Sequence, residues 1–373
     1  MNDQTKRTWA EISLGAIEHN YREMRAQLPA GCRFLGVVKA DAYGHGAIPV
    51  AKLLESIGAD YLAVACLDEA RQLRSAGIQL PILILGFTPA EYAKELAQLR
   101  ITQAVGSADA ARALSEHLAG SGLTLKVHLK LETGMGRTGF RAYEGADLTE
   151  AVQSLLLPNL DAEGVFTHFC VSDGDESVRD YTYTQFARFK AGFEEIEKRS
   201  GKVFAIHHCT NSGAMLSFPE TYLDMVRPGV LLYGMYPGPD RERLQLIPAM
   251  TLKSRVAYIE HHEPGDTISY GRTYTVEKPS DIAVIPIGYA DGLHRMLSNK
   301  LQVCVNGHVV RQVGRICMDM CMLDVTGLDV ASGDEVEIFG RTMSIDDVAD
   351  KAETIHYELT CAVSPRVPRV YVD

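Results

Sequence analysis

Between about residue 34 and residue 229 the chain alternates short apolar runs with amphipathic stretches, eight times over. The apolar runs fall at 34–38, 61–66, 82–85, 103–105, 126–131, 162–166, 204–209 and 223–226. Helical patterns at 48–57, 68–76, 90–99, 108–118 and 178–198 lie between them. Strands alternating with helices imply a parallel sheet, because a parallel connection must cross back over the sheet. Eight such units in about 200 residues predict a closed (β/α)8 TIM-like barrel rather than an open sheet.

After about residue 244 the texture changes. Apolar runs at 252–259, 282–287, 301–305, 309–313, 318–325 and 335–338 follow turn signals without long helices between them. Asn306-Gly307 between two such runs is a hairpin signal. The α/β chain is therefore expected to divide into a barrel at 1–244 and a mostly β C-terminal domain at 245–373, with residues 8–14 joining the β domain. A length of 373 residues accommodates that division.

Charge excludes one class of partner. Lys and Arg total 37 against 48 Asp and Glu, a net charge of −11, which repels a phosphate backbone, so no nucleic acid is expected. The N-terminus lacks an apolar signal segment, and no run approaches the roughly 18 apolar residues of a spanning helix. A soluble, cytoplasmic protein without a membrane partner is expected. The eight cysteines include no C-x-x-C pair and read as buried, reduced thiols.

Barrel active sites lie past the C-terminal ends of the strands. Reading off those positions gives Lys39 and Tyr43 after the first run, Arg137 after the fifth and His168 after the sixth. Asn211 and Ser212 follow the seventh, and Arg227 and Gly229 the eighth. Lys39 ends an apolar run, where desolvation would favour the neutral amine that Schiff-base chemistry needs; the plain alternative is a snorkelling lysine. Asn211-Ser212-Gly213 opens a helix, which suits a phosphate, or Ser212 is simply a cap. Arg227 would stay charged beside a ligand ring, or form an ion pair. His168 and Cys170 lack a third ligand at sensible spacing, so no metal is expected. A barrel lysine, a phosphate cradle and an arginine describe either a Schiff-base aldolase or a pyridoxal-phosphate enzyme, and spacing does not choose between them.

The residues themselves do. Val37-Val38-Lys39-Ala40-Asp41-Ala42-Tyr43-Gly44-His45-Gly46 resembles the cofactor-attachment motif of bacterial alanine racemases, fold-type III pyridoxal-phosphate enzymes. The resemblance continues through His128-Leu129-Lys130-Leu131-Glu132-Thr133-Gly134-Met135-Gly136-Arg137, Thr167-His168-Phe169, Val226-Arg227-Pro228-Gly229, Ser269-Tyr270-Gly271, Gly288-Tyr289-Ala290-Asp291 and Ile316-Cys317-Met318-Asp319. It spans nearly the whole chain.

The resemblance implies two catalytic bases, Lys39, which would also carry pyridoxal 5'-phosphate, and Tyr270. Tyr43, Ser212, Gly229 and Val230 would hold the phosphate, with Asn211 beside them. Arg227 would face the pyridine nitrogen, supported by His208, and His168 would lie near Tyr270. Arg137 would bond the phenolic oxygen and the substrate, and Lys130 matches a position that is often carbamylated. A head-to-tail homodimer is implied, in which Tyr270 and the substrate residues Tyr289, Cys317, Met318 and Asp319 come from the partner's β domain. The implied activity is interconversion of L- and D-alanine, supplying peptidoglycan synthesis. One position departs: Pro365 stands where the family usually has tyrosine. That opens the alternative of a serine or broad alanine/serine racemase. A fold-related decarboxylase fits the two-base pair less well, and a non-catalytic cofactor carrier would lack the β domain.

Overall fold

The computed structural model describes residues 6–238 and 243–373. Its strands run, in chain order, β1 (Thr8–Ser13), β2 (Arg33–Val37), β3 (Tyr61–Val64), β4 (Ile82–Ile84), β5 (Ile101–Val105), β6 (Leu125–Glu132), β7 (Phe140–Arg141), β8 (Leu160–Phe166), β9 (Ile206–His208) and β10 (Met225–Val226). They continue as β11 (Met250–Arg255), β12 (Tyr258–His262), β13 (Thr267–Ile268), β14 (Tyr274–Thr275), β15 (Ser280–Ile285), β16 (Gln302–Val305), β17 (His308–Val313), β18 (Cys321–Asp324), β19 (Glu335–Phe339) and β20 (Arg369–Val372).

The chain forms two compact units. One comprises Glu18–Ala42 and Ala47–Leu246. Its sheet runs β10-β2-β3-β4-β5-β6-β8-β9, every neighbouring pair parallel. The backbone N–H groups of Asp224 and Arg227 donate to His207 (3.2 Å) and Thr210 (2.9 Å), joining the last two strands and closing the ring. β3 and β4 are buried on both faces, which explains why they read as unbroken apolar runs. Local chemistry fixes the helix ends. Ser107 caps Ala108–Leu118 by accepting from the Ala110 amide, and Gly201, left-handed at φ 70°, ends Arg179–Ser200.

The other unit comprises Met1–Ile17, Tyr43–Gly46 and Ile247–Asp373. Its nine-stranded sheet runs β12-β15-β18-β17-β16-β19-β11-β1-β20, and β13 pairs with β14 in a separate hairpin. The N-terminal strand thus lies inside the C-terminal sheet, antiparallel to β11 and parallel to β20. Among the described residues no helix is long and apolar enough to cross a membrane.

Several expectations are corrected. The run at 252–259 is two strands, β11 and β12, which diverge at Val256 and Ala257 to pair with β19 and β15. Helices Leu14–Ala26, Thr149–Leu155, Ile345–Lys351 and His356–Ala362 were not expected. Cys66 and Cys361 are exposed rather than buried, although all eight thiols are free.

Since β1 separates β11 from β20, a chain beginning at Leu14 should leave β20 without a strand neighbour and β11 with one edge open, paired only to β19. Hydrogen exchange at 250–255 and 369–372 is expected to rise sharply in that truncation while 82–84 stays protected. Equal protection at all three would show the N-terminal strand to be dispensable.

Candidate active site

The barrel unit gathers its site residues at the carboxyl ends of its strands. Lys39 follows β2 and is half-buried. Directly after it, Ala40, Asp41, Ala42 and Tyr43 all have φ between 52° and 54°, a left-handed turn that ordinary residues avoid. Each such residue costs about 1–2 kcal/mol, so something must hold it. The Ala42 amide donates to Val38 (2.9 Å), and the Asp41 carboxylate accepts from the Ala47 amide (2.7 Å). Glu69 accepts from the amides of Ala40 (2.7 Å) and Ala65 (2.6 Å), pinning the lysine's turn to the loop after β3. The sequence reading missed Glu69; a carboxylate in the first turn of a helix looks like a simple dipole partner.

Arg227, just past β10, is 4% exposed. Its Nη1 donates to His208 Nδ1 (3.1 Å), and Nη2 donates to Thr167 O (2.9 Å), His168 Nδ1 (3.2 Å) and Cys209 O (3.3 Å). Burial lowers its pKa to about 10, so it remains a cation at neutral pH. An arginine only donates, so His168 and His208 must both accept at Nδ1 and carry their protons on Nε2. Burial, reinforced by Arg227, pushes the pKa of each well below the ordinary histidine value, so both are neutral.

His168 also feels Arg137, Lys130 and Lys39, so four cations converge on one ring. Lys130 is buried, its pKa pushed down to about 8 by burial and then by Arg137 and Arg227. Arg137 is exposed, in a loop organised by Glu132. Burial acts to raise the Glu132 pKa, but backbone N–H groups of Gly134, Gly136, Arg137 and Met135 hold it below the usual value. Asn211 caps the short helix Ser212–Ser217, and Ser212 Oγ accepts from the Gly229 amide (2.9 Å), joining the two expected phosphate segments. Val230 follows, opening the turn Val230–Tyr233.

The other unit gathers the remaining residues. Tyr270 lies in the β13–β14 hairpin and is 70% exposed. Its neighbours Ser269 (φ 67°, ψ −175°) and Arg272 (φ 50°) are strained. Ser269 Oγ donates to Arg315 O (2.7 Å) and lies 3.4 Å from Cys317 Sγ. The Tyr289 amide donates to Cys317 O and the Ala290 amide to Met318 O, both 3.0 Å. Arg366 bonds Asp319 (2.8 Å) and lies 3.6 Å from the buried Asp291, whose carbonyl accepts from the Ser364 amide (3.1 Å). Arg369 donates to Gly44 O (2.9 Å) and Ser364 O (2.7 Å), tying the Tyr43 segment to the loop that carries Pro365. Tyr43 packs edge-on against Tyr357, and burial raises its pKa.

Glu69→Ala should release the turn behind Lys39. Thermal unfolding is expected to show about 1–3 kcal/mol lost, the range for hydrogen bonds to a charged group. Lys39 should also react differently with amine reagents. Wild-type values of both would mean that the turn holds itself.

Two family models cover the chain: "Alanine racemase, N-terminal domain" matches residues 12–237 and "Alanine racemase, C-terminal domain" residues 249–371. An alanine racemase of Desulforamulus reducens is 46% identical over 98% of both chains, and one of Desulfovibrio desulfuricans 47% identical with the same coverage. The solved alanine racemase of Clostridium difficile 630 superposes with a TM-score of 0.93 at 42% identity, covering 99% of this chain and 96% of that one. A structure of the same enzyme complexed with cycloserine gives 0.91 at 41%. The chain therefore belongs to the alanine racemase family.

Proposed function

We propose that this chain racemises alanine with pyridoxal 5'-phosphate by a two-base route, in which Lys39 serves one face of the substrate and Tyr270 of the partner subunit the other. The observation that carries this reading is the convergence of Lys39, Lys130, Arg137 and Arg227 on His168, with Glu132 the carboxylate among them. Such a cluster calls for an anionic group, and pyridoxal phosphate brings a phosphate and a phenolic oxygen. Ser212 and Gly229 suit the phosphate, Arg137 the phenolic oxygen, and Arg227 the ring nitrogen.

When bound, the cofactor supplies an electron sink conjugated to the substrate α-carbon. Lys39 would hold it covalently and, once the substrate's amino group has displaced the lysine, the freed Nζ would exchange the α-proton on one face. A single base does not easily reach both faces, so the second proton moves at the Tyr270 hydroxyl. A tyrosine with a free pKa of about 10 is a weak base at neutral pH and needs a donor beside its oxygen. His168, fixed with its proton on Nε2, suits that role. Arg227 would donate to a ring nitrogen without giving up its proton, which would keep the sink weak and limit transamination. Lys130, with a pKa of about 8, has free amine available to carbon dioxide, which suits carbamylation.

The exposure of Tyr270 is consistent with a head-to-tail homodimer in which Tyr289, Cys317, Met318 and Asp319 also serve the partner's site. We infer that the enzyme works in the cytoplasm and that its D-alanine feeds peptidoglycan. A preference for serine is not favoured, since the relatives and solved structures compared above carry alanine in their names.

Lys39→Ala should lose turnover by several orders of magnitude, because attachment and base are removed together. Mixing inactive Lys39→Ala with inactive Tyr270→Phe should restore activity through one intact site per heterodimer. No recovery after demonstrated subunit exchange would mean a site complete within one chain.

Pro365, exposed in its clamped loop, bears on selectivity. Alanine should be preferred over serine, with serine turnover measurable, because an apolar pocket rejects one added hydroxyl by only about a hundredfold. Pro365→Tyr should move the kcat/KM ratio further towards alanine. An unchanged ratio would remove Pro365 from the specificity determinants.

A further inference from the structure

The interior of the barrel unit is not wholly aliphatic. Beneath Arg227 runs a line of polar side chains that the two-base mechanism does not use. His208 Nε2 lies 2.8 Å from His128 Nδ1. His128 is fully buried on β6, and its Nε2, which makes no hydrogen bond among the described residues, faces Glu163 Oε2 on β8 at 3.5 Å. Glu163 accepts from Tyr61 Oη on β3 (2.7 Å) and from Lys126 Nζ (2.5 Å). The Lys126 side chain is 53% exposed, so the line runs from the buried arginine to solvent.

Donor and acceptor chemistry gives this line one direction. Arg227 only donates, so His208 accepts at Nδ1 and carries its proton on Nε2. That N–H points at His128 Nδ1, which must therefore accept. His128 is left with its proton on Nε2, facing a carboxylate. Glu163 is an anion: burial works to raise its pKa, but His128, Lys126 and Tyr61 hold it down at about 2. A permanent donor stands at one end and a permanent acceptor at the other, so both tautomers are set. If either ring turned over or changed tautomer, two N–H groups would face each other somewhere in the line.

Neighbouring packing keeps the rings in place. A Cβ on Gly164, the β8 residue opposite His128, would sit 2.8 Å from the imidazole, so only glycine admits the ring there. Phe166 stacks on His208 with ring planes 9° apart and centroids at 4.9 Å.

We propose that His128 and Glu163 are positioning residues for Arg227: the Glu163 carboxylate, facing His128 Nε2, favours from the far end the same pair of tautomers that Arg227 requires, and so holds His208 as an acceptor that orients the guanidinium towards the cofactor's ring nitrogen. The last step rests on the proposed function; the line of polar contacts itself does not. The charged and titratable groups facing the two histidines are Arg227, His207, Glu163, Lys126 and Tyr61.

The test uses the holoenzyme with ring-nitrogen-labelled histidine. Wild type is expected to show His208 and His128 both protonated on Nε2. Glu163→Gln, whose amide offers a donor as well as an acceptor, should give mixed tautomers at both rings. It should shift the cofactor's visible absorbance and lower kcat about 10- to 100-fold with little change in KM, the size usual for residues that orient a functional group. His128→Asn, which keeps an acceptor for the His208 N–H, should retain more activity than His128→Leu. Gly164→Ala should reproduce the Glu163→Gln signature by displacing the ring, and serves if the carboxylate variant does not fold. Wild-type tautomers at His208 in folded Glu163→Gln or Gly164→Ala would overturn the proposal. If instead the tautomers mix while both Glu163→Gln and Arg227→Lys keep the wild-type absorbance, the line stands as a support for Arg227. What fails then is the placement of Arg227 against the ring nitrogen.

Discussion

A guanidinium buried inside a barrel is the constraint around which the site is arranged. Moving a cation out of water is expensive unless acceptors surround it. Arg227 finds them in two backbone carbonyls and two imidazole nitrogens, donated by the ends of β8 and β9. None is a carboxylate. Its charge is therefore dispersed but not neutralised, and Lys39, Lys130 and Arg137 add to the same field around His168. Cations gathered this closely favour an anion and repel one another without it. By linkage, an anionic cofactor that binds only the folded chain stabilises it in proportion to its affinity.

Backbone strain is concentrated at both expected bases. Lys39 is followed by four left-handed residues, and Tyr270 is flanked by Ser269 and Arg272 with positive φ. The two sites share no sequence pattern and lie in different units, yet each uses polar side chains to hold its turn. Glu69 and Asp41 do so at the lysine, and Ser269 Oγ at the tyrosine. Strain of this kind persists only where the surroundings over-determine it. Its presence at these two points marks where an exact side-chain direction is worth a loss of stability.

The barrel strands were legible because strands buried on both faces leave uninterrupted apolar runs, as β3 and β4 do. The place of β1 depends on pairing with β11 and β20, partners far along the chain. Thr149–Leu155, Ile345–Lys351 and His356–Ala362 escaped because seven residues give barely two turns of periodicity. Leu14–Ala26 escaped because it directly continues β1 without a break. The positions past the strand ends were readable from the apolar runs, and the roles expected there rest on the motifs. His128 and Glu163 were not readable, because their relation depends on the register of β6 against β8, including the irregularity between Val127 and His128. Nothing local in either segment announces it.

The same point governs the β-domain residues. Tyr289, the segment from Cys317 to Asp319, and Pro365 are far apart in sequence, and what joins them is one buried carboxylate with its arginines. Asp291 accepts from Arg7 (2.5 Å) and from the Gly288 amide (3.0 Å), while Arg366 bridges towards Asp319. Gly288 has no room for a side chain, since a Cβ there would lie 2.4 Å from the carbonyls of Cys317 and Met318. The loop bearing Pro365 is thus held by the backbone and side-chain contacts of Ser364, Arg366 and Arg369, on both sides of the proline. A loop clamped at its flanks keeps its path when the residue between them changes. A change of side chain at 365 is therefore expected to leave the backbone around Tyr289, Met318 and Asp319 in place.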